Sequence, residues 1–153
     1  MNRHFIFSSL TLLILALQVP GELKAQPYEH ALGIRAGYGS GLSYKAFFRH
    51  RMTAVRVDAL YHEYGFSVSG ALMYHWEPFR SDHWLFGVGG AGFAGKWDNA
   101  TSLGINAVAE FSYVVRDLPL EFGLDWRPML NLYRNTGTAF LDFGFVLRYR
   151  FSL

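Results

Sequence analysis

The sequence contains no cysteine, which excludes a disulfide scaffold, thiol catalysis and cysteine-based metal sites. It also has little net charge, because 14 basic and 12 acidic residues give a formal charge of +2 over 153 residues. This balance lacks the strongly basic character of nucleic-acid-binding proteins, and we expect no nucleic-acid partner. After residue 25 the chain has no unbroken run of about 18 apolar residues, which excludes a helical membrane protein.

The first segment of the chain has the pattern of a secretory signal peptide. Arg3 precedes a nearly continuous apolar segment from Phe5 to Val19, and Ala25 supplies a small residue for cleavage. The apolar segment is shorter than the roughly 20 residues that a membrane helix needs, which disfavours an uncleaved anchor. The sequence therefore predicts a signal peptide over residues 1–25, followed by a single domain over residues 26–153.

The C-terminal segment, AFLDFGFVLRYRFSL from Ala139 to Leu153, shows the clearest periodicity in the chain. From Leu141 onward every second residue is apolar, and the residues between them are largely polar or small. A period of two predicts a strand with one apolar and one polar face. In an outer-membrane barrel the apolar face of such a strand meets lipid, and the polar face points into the lumen.

Seven further alternating segments precede this one. An even number of strands places both termini on one side of a barrel, and the segments suit the roughly 9–11 tilted residues that cross a bilayer. The sequence therefore predicts an all-β, eight-stranded, antiparallel up-and-down transmembrane β-barrel. The fifth segment is rich in glycine, and its pattern is too weak to assign a register. The seven segments span Leu32–Tyr38, Leu42–Phe48, Thr53–Tyr61, Phe66–Trp76, Trp84–Ala94, Leu103–Val115 and Leu120–Leu132.

The last strand also resembles the C-terminal signal by which outer-membrane barrels are recognised for insertion. That signal has a polar residue, a glycine two places later, and bulky apolar or aromatic residues at alternate positions near the terminus. The matching residues are Asp142, Gly144, Leu147, Tyr149 and Phe151.

Three stretches of the chain resemble the small outer-membrane β-barrel proteins of the Bacteroidota. They are GIRAGYGSGLSYKAFF at 33–48, GFSVSGALMYH at 65–75 and PLEFGLDWRPMLNL at 119–132, and the run Asp125 to Pro128 is the most specific part. The resemblance implies an outer-membrane barrel of a Gram-negative bacterium, similar in fold to OmpX and OmpA-type barrels. The resemblance brings little function with it. For an outer-membrane barrel we expect membrane lipid and, during insertion, the barrel-assembly machinery as partners, and we favour a monomer.

The main alternative fold is a soluble eight-stranded carrier such as a lipocalin, which places its apolar residues inside. Two features favour the membrane barrel. The apolar face is bulky on nearly every strand, whereas a small lumen must be filled by side chains of mixed size. The connections are also too short to cap a ligand-binding cup.

Charged residues recur on the inferred inner face of the strands. They could form an ion-selective ring, but an eight-stranded barrel leaves an interior just wide enough for side chains, and the two signs occur in similar number. We therefore predict a salt-bridged network that fills the lumen, with Arg150 also placed on the inner face. The predicted network consists of Arg35, Arg56, Asp58, Glu110, Glu121, Asp125, Arg127 and Arg148.

Two motifs suggest chemistry, and both have simpler interpretations. Residues 87–92 match Gly-x-Gly-x-x-Gly, but a dinucleotide site needs a helix after the motif, and more strand-like sequence follows here. His62 and His75 lie near Ser67 and Ser69, as in a Ser/His/acid site of an outer-membrane lipid A deacylase, yet these serines are expected to point inward, away from lipid. The six histidines show no metal-ligand spacing. We therefore predict a non-catalytic structural or interaction barrel without a cofactor, with a lipid-modifying enzyme and a narrow pore as alternatives.

Overall fold

The computed structural model describes residues 27–49, 51–134 and 136–153, and the predicted signal peptide lies outside these residues. Within the described residues the fold is all-β. Its strands are β1 (His30–Gly37), β2 (Ser40–Phe47), β3 (Thr53–His62), β4 (Gly65–Trp76), β5 (Trp84–Trp97), β6 (Ala100–Val114), β7 (Leu120–Trp126), β8 (Met129–Asn131), β9 (Gly137–Ala139) and β10 (Phe143–Phe151). The described residues contain no helix of the length and hydropathy required to span a membrane.

The strands close into a single antiparallel barrel. Each strand from β1 to β6 pairs with the next, and β6 then pairs with both β7 and β8. β10 pairs with β7 on one side and with β1 on the other, which completes the ring. β7 and β8 together form the seventh position of the barrel, and β9 and β10 form the eighth. The prediction of an eight-stranded antiparallel barrel is confirmed.

The seventh and eighth positions are less regular than the sequence predicts. The segment 120–132 was expected to be one continuous strand, but Arg127 and Pro128 separate β7 from β8. Proline has no N–H group with which to continue a ladder. The backbone still bonds across the break, since the Ala107 N–H donates to the Pro128 carbonyl at 3.0 Å and the Arg127 N–H to the Asp142 carbonyl at 2.8 Å.

The glycine-rich fifth strand is longer than its pattern indicates. It continues to Trp97 rather than ending near Ala94, and β6 begins at Ala100 rather than near Leu103, so the predicted bounds of these two strands are wrong at this end. Only Asp98 and Asn99 form the connection, with φ angles of 48° and 63°. Positive φ at both central residues defines the tight hairpin turn that matches strand twist, and Asp and Asn tolerate it. The Gly-x-Gly-x-x-Gly match lies inside β5, and the element that follows it is another strand, β6.

The two faces of the barrel have opposite polarity. The interior holds most of the buried charged residues, whereas large apolar side chains cover the outside. A lipocalin-like barrel would show the reverse arrangement. Outward-facing residues that are at least 40% exposed include Leu32, Ile34, Leu42, Val57, Phe66, Val68, Leu72, Tyr74, Leu103, Ile105, Leu124, Phe143, Phe145 and Tyr149.

The two ends of the barrel differ in the length of their connections. The terminus end carries residues 27–29 and the C-terminal residues, and we name the opposite end the turn end. Three connections at the turn end are two-residue turns, and those at the terminus end are five to seven residues long. The turn-end connections are 38–39, 63–64, 98–99 and 132–136, and the terminus-end connections are 48–52, 77–83 and 115–119.

Candidate functional site

The described part of the lumen contains ten buried charged side chains, five basic and five acidic. We call this set the lumen network. All eight residues predicted from the sequence belong to it, and Lys45 and Asp142 complete it. The network consists of Arg35, Lys45, Arg56, Arg127, Arg148, Asp58, Glu110, Glu121, Asp125 and Asp142.

Glu110 is the centre of the network. Strand β6 directs its carboxylate inward, where it contacts cations from three other strands. Its oxygens lie 2.5 Å from Lys45 Nζ, 2.7 Å from Arg56 Nη1 and 2.8 Å from Arg148 Nη2. None of these four side chains is exposed to solvent. Three charge-assisted bonds therefore converge on one fully buried carboxylate.

Toward the terminus end the network continues through Glu121. Its Oε1 lies 2.6 Å from Lys45 Nζ and 3.0 Å from Arg148 Nη1. The hydroxyl of Tyr28 donates a hydrogen bond to the other oxygen, Oε2. Tyr28 precedes β1 and packs edge-on against Phe47, with ring centroids 4.9 Å apart. The segment before β1 therefore folds across the lumen, and Tyr28 covers the network at the terminus end.

Toward the turn end the network continues through Asp125. This carboxylate contacts Arg56 at 2.5 Å and Arg35 at 2.8 Å. Arg35 also contacts Asp142 at 2.7 Å and donates to the backbone carbonyl of Gly39 at 2.6 Å. Arg35 thus ties β1 to β7, to the segment before β10 and to its own hairpin turn.

A side branch of the network reaches toward β4. Asp58 contacts Arg56 at 2.9 Å and Arg127 at 3.3 Å. Arg127 also donates to the Ser69 hydroxyl at 2.6 Å, and Arg148 donates to the Ser43 hydroxyl at 3.1 Å. Neutral hydroxyls therefore accept guanidinium N–H groups that have no carboxylate partner.

An apolar cluster lies next to the network at the terminus end. It places Tyr28, Phe47, Leu85 and Val114 together with small residues of β1 and β3, all of them buried. The network and this cluster fill the lumen with side chains that are almost completely shielded from solvent. A buried charge without a partner is strongly destabilising, so the pairing of all ten groups is what permits their burial.

The side chains considered above as a Ser/His/acid site point into the lumen. They are His62, His75, Ser67 and Ser69. His62 Nε2 lies 2.9 Å from the Ser67 hydroxyl, whereas Ser69 accepts its hydrogen bond from Arg127. His75 packs against Phe47, and among the described residues neither of its ring nitrogens has a hydrogen-bond partner. All four side chains are buried. The structure therefore brings none of these serines to the outer surface.

The residues of the predicted insertion signal divide between the two faces. Asp142 points inward and contacts Arg35, and Gly144 lies opposite Asp125. Tyr149 is 56% exposed on the outer face, where Leu147 and Phe151 also lie. Recognition of these residues by the barrel-assembly machinery stays a prediction.

Contrary to expectation, Arg150 forms no ion pair with a lumen carboxylate among the residues that the structure describes. Its Nη2 atom donates to the carbonyl oxygens of Val115 and Leu118, at 2.5 and 2.7 Å. The residue lies two positions closer to the terminus end than Arg148. It therefore ties the end of β10 to the 115–119 connection.

Three members of the site were missed from the sequence. Lys45 lies on the polar face of β2, so its alternation could have revealed it. Asp142 was assigned only to the insertion signal, although the same alternation directs it inward. Tyr28 lies outside any alternating segment, and no sequence signal indicates its place in the lumen.

No group of three or more metal-ligating side chains occurs in the part of the chain that the structure describes. No family model matches the chain, and searches of curated proteins and of solved structures find no match.

Because Gly144 has no side chain, the guanidinium group of Arg35 can lie directly against the Gly144 backbone. A Cβ atom at Gly144 would lie 2.5 Å from Arg35 Cζ, so Gly144→Ala must displace a group that contacts two carboxylates. We expect the substitution to cost about 1–3 kcal/mol in the free energy of unfolding, measured by urea titration in detergent.

Gly90→Ala is the matched control, because a Cβ at Gly90 would have no atom of the described residues within 4 Å. We expect this change to be neutral or slightly stabilising, since glycine weakens a strand interior. An equal loss of stability in both variants would contradict the steric role of Gly144.

Proposed function

We propose that the protein is an integral outer-membrane β-barrel of a Gram-negative bacterium, with a sealed lumen and a non-catalytic structural or interaction role. The observation that carries this proposal is the inverted polarity of the barrel. Ten charged groups are buried inside, while the large apolar residues face outward. Contiguous apolar surface of this extent is unfavourable in water and suits a hydrocarbon environment.

The positions of the aromatic residues support a bilayer location. Trp76, Trp84 and Tyr113 lie near the terminus end, and Tyr38 and Tyr61 lie near the turn end. Trp and Tyr are enriched at both membrane–water interfaces, where their rings contact the headgroup region. Two separated aromatic bands with aliphatic residues between them are typical of a transmembrane barrel.

The lumen network supports a sealed rather than a conducting barrel. The interior of an eight-stranded barrel has room for side chains and little else. Here the ion pairs span from Glu121 at one end to Asp142 at the other, and their side chains are not exposed. A selective pore would need charged groups in contact with a continuous water path.

The inward direction of Ser67 and Ser69 disfavours a lipid-modifying enzyme. A nucleophile that attacks membrane lipid must face the bilayer or its edge. Ser69 Oγ is instead bonded to Arg127 inside the barrel. The non-catalytic role is therefore the function that the geometry supports best.

Fractionation of the cell tests the membrane location. We expect the protein in the outer-membrane fraction, extractable only with detergent. The matched measurement is its migration on a gel with and without heating, because folded outer-membrane barrels migrate differently from unfolded ones. Recovery in the soluble periplasmic fraction would overturn the proposal.

Phe145 tests the lipid-facing side of the barrel. The residue lies near the middle of the eighth barrel position, which spans residues 137–151, and its side chain is 46% exposed on the outer face. We expect Phe145→Arg to cost about 2–4 kcal/mol in the free energy of unfolding in lipid vesicles, because a cation at the bilayer midplane is poorly solvated. Phe145→Leu is the control and should cost less than half as much. Equal costs would argue against lipid at this position.

A planar-bilayer recording tests the sealed lumen. We expect no stable open conductance from the wild-type protein or from Asp125→Ala, which removes the partner shared by Arg35 and Arg56. A steady conductance whose ion preference changes in Asp125→Ala would replace the sealed barrel with a selective pore.

A further inference from the structure

A polar cavity of about 380 Å³ opens at the terminus end of the barrel. Pro27 and Val114 contribute to its wall, and the remaining lining residues are ionisable. Its volume falls within the roughly 300–1,000 Å³ that small-molecule pockets occupy. The cavity is separate from the lumen network and shares no residue with it.

The ionisable residues that line the cavity carry both signs of charge. They are Glu77, Asp82, His83, Arg116 and Arg150. They come from the 77–83 connection, the 115–119 connection and the end of β10. Three separate segments therefore bring two guanidinium groups, an imidazole and two carboxylates to the walls of one cavity.

Two of these side chains have fixed orientations. Arg150 is held through Nη2 by two backbone carbonyls, and its buried Nε atom has no hydrogen-bond partner among the described residues. His83 Nδ1 lies 3.2 Å from the Val114 carbonyl, which can only accept, so Nδ1 carries the proton. The second ring nitrogen of His83 is then the one available to a ligand.

Arg116 and Asp82 form the more open part of the wall. Their closest approach is 3.9 Å, and both side chains are about 70% exposed. A weakly held, exposed pair of this kind contributes little to stability. Both side chains therefore lie at the mouth of the cavity, where a ligand can reach them.

A cluster of aromatic side chains lies on the outer surface next to the cavity. The rings of Trp84 and Phe111 stack with centroids 4.9 Å apart, and Tyr113 contacts Trp84 at 4.8 Å. Tyr113 also stacks on His83, which lines the cavity. The polar cavity and the aromatic surface therefore adjoin at the contact between His83 and Tyr113.

We infer that this cavity binds a zwitterionic phosphoethanolamine group. The guanidinium groups of Arg116 and Arg150 face the phosphate, and the carboxylates of Glu77 and Asp82 face the ammonium. A lining with two cations and two anions matches a zwitterion better than a simple anion. One source of the group is a phospholipid whose acyl chains lie along the aromatic surface. For this source the inference rests on the proposed membrane location. A soluble phosphoethanolamine compound is the other source.

The experiment measures lipid binding to the purified, delipidated protein in detergent by native mass spectrometry. The probes are phosphatidylethanolamine and phosphatidylglycerol with the same acyl chains, and O-phosphoethanolamine is the water-soluble probe. We expect phosphatidylethanolamine to bind more tightly than phosphatidylglycerol. Arg116→Ala should weaken its binding roughly fivefold, the effect of losing one exposed charge contact.

Two further variants make the result specific. Arg49→Ala removes an exposed arginine at the same end of the barrel that does not line the cavity, and it should leave binding unchanged. Asp82→Asn should weaken phosphatidylethanolamine binding but not phosphatidylglycerol binding, because only the former carries an ammonium group. Equal affinity for the two lipids, or equal effects of Arg116→Ala and Arg49→Ala, would overturn the inference.

The soluble probe distinguishes the two sources. Binding of O-phosphoethanolamine without binding of the lipid supports the site and assigns it a soluble ligand. Absence of binding by both probes overturns the site, whatever fractionation shows about the membrane. A chain that purifies without detergent would contradict the proposed function, and the soluble probe would still report on the cavity.

Discussion

Glu110→Ala should lower the free energy of unfolding by about 3–5 kcal/mol, the cost of removing one partner from a buried ion pair. The carboxylate contacts Lys45, Arg56 and Arg148, all of them without solvent exposure. Arg56 and Arg148 retain other carboxylates, and Lys45 retains Glu121. The lumen would nevertheless hold one excess positive charge with no water to solvate it. Urea titration of the folded barrel in detergent measures the loss.

Ser112→Ala provides the control for Glu110→Ala. Ser112 is the next inward-facing residue on β6, and its buried hydroxyl has no hydrogen-bond partner among the described residues. We expect its replacement to change stability by less than about 1 kcal/mol, since no hydrogen bond is lost. Similar losses in the two variants would show that the site responds to volume and not to charge.

Deletion of residues 147–153 should abolish assembly of the barrel. The deletion removes the part of β10 that pairs with Leu32 and Ile34 of β1 and with Glu121 and Phe122 of β7. Two sheet edges would then expose unpaired backbone groups, which the lipid of the proposed membrane location cannot satisfy. Arg148 would also be lost from the network. The measurement is the shift in gel migration on heating, which should disappear.

Deletion of Ser152 and Leu153 alone is the matched control. Both residues lie beyond the end of β10, and neither pairs with a neighbouring strand. We expect this shorter chain to assemble and to keep its heat-dependent migration. Assembly of the chain that lacks 147–153 would contradict the requirement for ring closure.

The closed barrel and the side of each strand that faces inward could be predicted from the sequence. A period of two assigns every residue of a strand to one of two faces, so Glu110, Asp125 and Arg148 could be placed in the lumen together. The pairing of Glu121 with Arg148 also follows from the alternation on neighbouring strands.

Contacts across the lumen could not be predicted in the same way. The meeting of Lys45 with Glu110, or of Arg56 with Asp125, depends on barrel diameter and strand tilt, which alternation does not report. The length of β5 was also hidden, because its glycines carry no apolar pattern. The interruption at Pro128 and the insertion of Tyr28 depend on local geometry outside the alternating segments.

The equal number of positive and negative groups in the lumen network has an electrical consequence. Moving one elementary charge through 100 mV changes the free energy by about 2.3 kcal/mol, and opposite charges contribute with opposite sign. The five basic and five acidic side chains described in the lumen carry no net charge together. An applied voltage therefore does no net work on the set when it moves as a unit. In the proposed membrane location, a movement of the network as a rigid unit would therefore carry no gating charge.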